Sequence, residues 1–472
     1  MKEMQKTIAL IIIAVVLVFL SLQKPGSSSD DVLFSDLGQQ FYPEFQDPLE
    51  VTSLEVFKYN EDLAAVTPFK VQLKEGQWTI PSHSNYPVDA KEKMEKLATS
   101  LIGIKKDEVR SDKPADQKDL ELIDPNDTET QALSGRGTRV TLKNAQGRIL
   151  ADYILGKDLD GKSDYRFVRQ PSSHKSYAAK IDVDLSTDFA DWINTALLDF
   201  SSSDSQKFIL SDYKVDQGRL VPGKSYQLDK KDGDWQTQGI PEGKELDQSK
   251  VNPILSELSN LKIVGVRPKP SALAASLSLN KGLTINEEDI ASLADKGFYL
   301  TNNGQLFSNE GEASFTMDSG VSYTIRFGNS FFGSGLEISA GASSKEKSEE
   351  DKKPGNASRY LFIMAQLDSN FLGPAPARIE KPTELTDKAD EATKKAHEEK
   401  MSAYDQAEAD FKAWGDKKKA AEEEVSELNK RFANWYYVIG GSSYDAIRIP
   451  FEKLLKDKEK PKEDSQPAQP TP

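Results

Sequence analysis

Cysteine is absent from all 472 residues. That removes disulfides, thiolate nucleophiles, lipid attachment at cysteine and the Cys-based zinc and iron–sulfur sites. Histidine occurs only three times, at His83, His174 and His397. The three are far apart, and only His397 has an acidic neighbour, Glu398, in a stretch that reads as a wet helix face. Positive charge is also short: 61 Lys and Arg stand against 76 Asp and Glu, a net charge of −15. Such a surface repels phosphate backbones, so nucleic acid is not an expected partner. No G-x-S-x-G elbow, H-E-x-x-H pair or Ser-x-x-Lys set stands in a fitting context. No catalytic residue, metal site or cofactor is therefore expected. Long apolar runs are missing too, with one exception.

That exception is Ile8–Leu22, IALIIIAVVLVFLSL. As a helix it spans about 22 Å, short of a bilayer core of roughly 30 Å but within reach of a thinned or snorkelled span. Lys2 and Lys6 precede it, and Asp30 and Asp31 follow. This bias keeps residues 1–7 cytoplasmic and sends the body across the membrane. The pattern predicts an uncleaved signal anchor at 8–22, with Ile8, Ile12, Val16 and Leu20 in lipid. A cleaved signal peptide is the alternative, although no Ala-x-Ala site follows. Either places the body in the periplasm, and the anchor makes the chain a single-pass inner-membrane protein.

Residues 23–48 read as a linker, Lys-Pro-Gly-Ser-Ser-Ser-Asp-Asp at its start and Asp47-Pro48 at its end. Aromatics at 9% provide for real cores beyond it. A strand pattern over Leu49–Phe57 leads to a hairpin, Phe69–Leu73 and Trp78–Ile80, turned by Lys74-Glu75-Gly76-Gln77. Asp89 then stands as the N-cap of a helix with Met94, Leu97, Ala98, Leu101 and Ile102 on one face. Val109–Pro114 leaves that helix. About 157 positions later the order returns. Phe208–Leu210, Tyr226–Leu228 and Gly233-Asp234-Trp235 precede a helix capped by Asp247, with Val251, Ile254, Leu255, Leu258 and Leu261 inward. Val266–Pro270 leaves it. A hairpin ending in Gly156 is answered by one ending in Gly328, and Tyr165–Val168 by Tyr360–Met364. Phe189-Ala190-Asp191-Trp192 resembles Phe432-Ala433-Asn434-Trp435.

The expected architecture is α+β, with two related antiparallel-sheet-plus-helix domains in tandem. The first covers 49–200. The second covers 201–382 and closes at 432–455, interrupted by a helical arm at 383–431. Gly341–Asn356 reads as a mobile charged loop, and 456–472 as a disordered tail.

The arm is rich in Ala, Glu and Lys, strong helix formers. Tyr404, Phe411, Lys418, Val425 and Phe432 recur at seven-residue spacing, as do Ala407, Trp414, Ala421, Leu428 and Trp435. A 3–4 seam sustained this far packs on something. Its phase passes unbroken through Gly415, which predicts one continuous helix. The seam either packs on its own domain or docks a partner; for docking the residues are Tyr404, Phe411, Trp414, Val425 and Leu428.

Gly156–Ser163 matches the phosphate-loop formula G-x-x-x-x-G-K-[ST]. That motif needs a helix after the loop, and Asp164–Arg169 alternates as a strand. Asp158 and Asp160 would also face phosphate with like charge, so no nucleotide is expected. The same aspartates with Asp164 lack the later bidentate Glu of a calcium loop. The segment reads as a hairpin turn. Trp78 and Trp235 read as hairpin core rather than ligand platforms.

The repeated Gly-x-Trp hairpin, the helix after it, the Lys-Pro exits, the Leu-Gly and Phe-Gly strand ends and the Phe-Ala-Asp/Asn-Trp segments carry a resemblance. The chain resembles the bacterial membrane-anchored family grouped as domain of unknown function 4340, in two copies over about Leu49–Leu455. Phe432–Ile439 looks like the form seen in planctomycete-type members. The resemblance implies the cell envelope, beside components of a gliding-motility-like ABC transport system, and it offers no established catalytic residues to carry over. The expected function is a non-enzymatic scaffold or accessory subunit of an envelope complex. Two rivals are a periplasmic glycan- or peptide-binding module, sited between the domains, and a hydrolase using a carboxylate pair.

Overall fold

The computed structural model describes residues 35–61, 64–198, 200–216, 218–278, 285–301, 303–333, 335–340, 357–385 and 390–458. The expected anchor at 8–22, the loop at 341–356 and the tail beyond 458 lie outside the described residues. Among the described residues, no helix is long and apolar enough to cross a membrane. The fold is α+β with large antiparallel sheets, and the chain divides into two compact units between Ile193 and Asn194.

In the first unit the strands are β1 (Ser53–Asn60), β2 (Ala65–Lys74), β3 (Gln77–Ile80), β4 (Tyr86–Val88), β5 (Glu108–Ser111), β6 (Thr138–Lys143), β7 (Ile149–Asp158), β8 (Tyr165–Arg169) and β9 (Ser176–Lys180). They form one sheet in the order β4-β3-β2-β1-β6-β7-β8-β9-β5. Period-2 alternation buries Leu54 and Val56 of β1 with Phe69 and Val71 of β2. Helix α1 (Lys91–Leu101) buries Met94, Leu97, Ala98 and Leu101, and the Tyr153 hydroxyl of β7 donates to the Leu101 carbonyl. Asp89 does not cap α1. The N-cap is Ala90, without a side-chain bond, because the preceding strand turns into the helix one residue later than expected.

Residues 35–48 are not a free linker. Phe41 and Phe45 are buried, and the Phe41 N–H donates to the Ile104 carbonyl. The Asp36 carboxylate accepts from the Tyr177 hydroxyl at 2.5 Å, Lys106 at 3.0 Å and Lys175 at 3.1 Å. Burial raises the Asp36 carboxyl, but these bonds outweigh it and bring the pKa from 3.8 down to about 2. Its contribution is therefore fully present above the ordinary value and lost as pH falls through the depressed one. After screening it is worth about 1–2 kcal/mol. Urea midpoints of wild type and Asp36→Asn should differ at about pH 5 and converge near about pH 2. A gap that persists in acid would show that the charge of Asp36 is not what binds this segment.

In the second unit the strands are β10 (Ser205–Ser211), β11 (Tyr213–Asp216), β12 (Arg219–Pro222), β13 (Tyr226–Lys231), β14 (Asp234–Thr237), β15 (Lys244–Leu246), β16 (Gly265–Pro268), β17 (Phe298–Leu300), β18 (Leu306–Ser308), β19 (Glu312–Met317), β20 (Val321–Phe331), β21 (Ser358–Leu367), β22 (Trp435–Ile439) and β23 (Leu455–Asp457). The helices are α2 (Gln248–Ser259), α3 (Ser271–Ser278), α4 (Glu287–Asp295), α5 (Gly335–Ala340), α6 (Ser369–Leu372), α7 (Glu391–Ala433) and α8 (Gly441–Ile447). Asp247 caps α2 as the sequence predicts, accepting from the Ser249 N–H. The main sheet runs β14-β13-β10-β19-β20-β21-β22-β16.

Taken strand for strand from β3 onward, this is the order of the first sheet. The extra elements of the second unit enter at connections: β11–β12 between β10 and β13, α3 to β18 between β16 and β19, and α7 between β21 and β22. The two four-residue motifs do not correspond. Phe189–Trp192 is a 3₁₀ turn after β9, whereas Phe432–Trp435 ends α7 and opens β22. The structural counterpart of Phe189–Trp192 is the 3₁₀ turn Phe451–Leu454. Lys93 donates to the Asp191 carbonyl at 2.9 Å, and Lys250 to the Lys453 carbonyl at 3.0 Å.

Two boundaries also move. Residues 194–198 join the second unit, because Ile263 and Leu197 donate main-chain bonds to Thr195 and Leu261. The expected tail begins inside β23, which pairs with β15 from Leu246↔Leu455 to Lys244↔Asp457. Neither change carries a local sequence signal, since both rest on partners far along the chain.

Candidate interaction surface

Helix α7 begins where the Asp390 side chain accepts from the Thr393 N–H at 2.7 Å, and it runs unbroken through Gly415. A Cβ at Gly415 would meet nothing. At about 1.5 Å per residue the helix extends roughly 65 Å. Its C-terminal part is its root: Ala421, Val425, Asn429, Phe432 and Ala433 are buried against β21 and α3. Lys430 and Arg431 in the last turn complement the negative end of the helix dipole.

Further out the seam continues half-buried, through Met401, Tyr404, Ala407, Phe411, Trp414 and Lys418. Here it meets a segment of its own chain with no regular structure, the strap at 373–385. The Trp414 indole N–H donates to the Gly373 carbonyl at 3.3 Å. Arg378 lies 4.7 Å above the Phe411 ring and makes a two-pronged pair with Glu408 at 3.0 Å and 3.0 Å. Those bonds hold the Glu408 carboxyl below the usual carboxylate range. Lys417 donates to the Asp318 carbonyl at 2.8 Å. The pair is exposed, so it positions rather than stabilises.

The five seam residues thus fall into different settings. Val425 is buried in the core, and Leu428 lies half-buried at the root. Tyr404, Phe411 and Trp414 lie on the arm, and only Phe411 and Trp414 meet the strap in these contacts. The heptad could not show the strap. Gly373 and Arg378 precede their partners by some thirty to forty residues. Their one local signal is Gly373-Pro374-Ala375-Pro376, which favours extended backbone.

Gly156–Ser163 joins β7 to β8, with Gly161 and Asp164 in the left-handed region, so the segment is a strand-turn-strand hairpin. His83 is buried and stacks on Phe189 at 4.2 Å. Among the described residues no cluster of three or more His, Asp or Glu has the arrangement to hold a metal ion. Trp235 is buried, its main chain bonded by the Gln248 amide at 2.9 Å and 2.7 Å. Trp78 is half-exposed in a groove of about 510 Å³ with Leu49, Leu73, Val88 and Met94.

The family model for a domain of unknown function, DUF4340, matches residues 78–280. The match opens at Trp78 in the first unit and runs into the second, past the end of α3. Comparison with curated proteins and with solved structures finds no match.

Proposed function

We propose that this is a non-enzymatic, membrane-anchored scaffold or accessory protein of an envelope complex. In this reading residues 8–22 span the inner membrane once and the body lies in the periplasm. The two units are duplicated copies of the family domain, supported by their matching strand orders and by the Gly-Trp hairpin placed alike in each. Linkage to a gliding-motility-like ABC transport system, and the planctomycete-like form, come from the resemblance alone. The observation that carries the docking role is the α7 seam. It is buried at the root, then continues in phase and half-buried along an arm where Phe411 and Trp414 meet the strap. An apolar stripe kept beyond the need of its own core marks an interaction surface.

The test is site-specific photo-crosslinking from the arm in native membranes, followed by mass spectrometry. A membrane-transport component should be captured, and Phe411→Ala with Trp414→Ala should abolish the capture. The same double variant should lose no more than about 1–2 kcal/mol of stability, because both rings are only half-buried. Capture that survives the double variant, or a collapse of the fold, would defeat the docking role.

The Trp78 groove supports a second reading, a module that takes a glycan or peptide. Leu49 is 67% exposed and Leu73 38%, beside an aromatic ring. Retention on a glycan array, lost in Trp78→Ala, would favour it.

A further inference from the structure

Two buried polar side chains meet at the root of α7, Asn429 of the helix itself and Lys269, which follows β16. Asn429, 5% exposed, pairs with β21 as a neighbouring strand would. The Ala365 N–H donates to its Oδ1 at 2.9 Å, and its Nδ2 donates to the Ala365 carbonyl at 2.8 Å. β22 pairs with β21 only over Arg359–Leu361, so Asn429 takes up main-chain groups that β22 leaves behind.

Lys269 follows β16 and is 6% exposed. Its Nζ donates to the carbonyls of Phe432 at 2.8 Å and Trp435 at 2.7 Å, and its main-chain N–H to the Asn434 carbonyl at 2.9 Å. Phe432 lies in the last turn of α7, where the Asn434 cap N–H also reaches its carbonyl, and Trp435 opens β22, so Lys269 ties the helix end to the strand that follows. The amine also lies 4.3 Å from the Phe362 ring centre. Burial lowers its pKa well below the usual lysine range, and either protonation state can donate to both carbonyls.

Apolar contacts alone tolerate several registers, whereas buried polar pairs tolerate one, because any slip leaves main-chain groups unpaired. The helix is continuous, so the phase fixed at Asn429 is the phase of Phe411 and Trp414. We infer that Lys269 and Asn429 are positioning residues that set the register and heading of the arm, so that its seam faces a partner in one direction. The purpose of this device rests on the docking reading; its geometry does not.

The chain has no cysteine, so Lys395→Cys on α7 and Asn252→Cys on α2 are unique labelling positions. Double electron–electron resonance on the full chain, nitroxide-labelled at both, should give one narrow distance. Asn429→Leu, which keeps the branching and number of side-chain heavy atoms, should broaden that distribution about twofold or shift it by about one helical turn, ~5 Å. Lys269→Met should do the same; should it not fold, Asn429→Leu alone decides. An unchanged distribution in a folded Asn429→Leu protein overturns the inference. A changed distribution without arm-dependent crosslinks would leave it standing and defeat the docking reading. Arm-dependent crosslinks with an unchanged distribution would do the reverse.

Discussion

Alanine at Gly156 is expected to destabilise the first unit by about 2–4 kcal/mol, and alanine at Gly328 the second by a similar amount. A Cβ at Gly156 would lie 2.2 Å from the Leu120 carbonyl oxygen, and one at Gly328 2.2 Å from the Lys296 carbonyl oxygen. Both obstacles are backbone, so no side-chain rotation relieves them. Each glycine sits on a long central strand, β7 or β20, that another segment crosses at close range. A Cβ at Gly328 would also lie 2.7 Å from the Phe298 ring. Denaturant unfolding of the two single variants measures the effect. Serine at either site should be no better, since the obstacle is the Cβ itself. Losses below about 0.5 kcal/mol would mean that the close approach is not maintained in solution.

The second large effect concerns Arg139. Its guanidinium holds Asp152 with two bonds, at 3.0 Å and 2.7 Å, and Asp124 with a third at 3.0 Å. The Thr141 hydroxyl donates to Asp152 at 2.9 Å. The bond to Asp152 is the largest influence raising the Arg139 pKa. Asp152 is 7% exposed, so Arg139→Met strands a carboxylate inside the unit. The expected loss is about 3 kcal/mol, discounted from the fully buried case because Arg139 is itself partly exposed. Adding Asp152→Leu should recover much of it, because a buried pair replaced by apolar residues is often near neutral. A double variant weaker than the single would contradict this, and would assign Asp152 a role beyond pairing.

The parts of the fold legible in the sequence are those set by local chemistry. The Trp78 and Trp235 hairpins follow from their Gly-containing turns, the α2 start from Asp247, and the unbroken α7 from its seven-residue spacing. What stayed hidden depends on distant partners. Phe41 looks like a linker residue until Ile104 and Tyr153 are beside it. Lys456 looks like tail until β15 pairs with it. The resemblance between Phe189–Trp192 and Phe432–Trp435 is one of letters, not of place. In the candidate site the heptad exposed the seam, but not the strap that partly covers it, nor Asn429 and Lys269. A polar residue beside a seam, such as Asn429, reads as solvent-facing until the strand edge it satisfies is known.

The account stands or falls on which side of the membrane the body occupies. Full-length protein carrying the single substitution Lys395→Cys should be treated in its native host with a membrane-impermeant maleimide, with the outer membrane opened and the inner one intact. The account predicts full labelling under these conditions, unchanged by later lysis. Labelling that appears only after the inner membrane is broken would place the arm in the cytoplasm and contradict it.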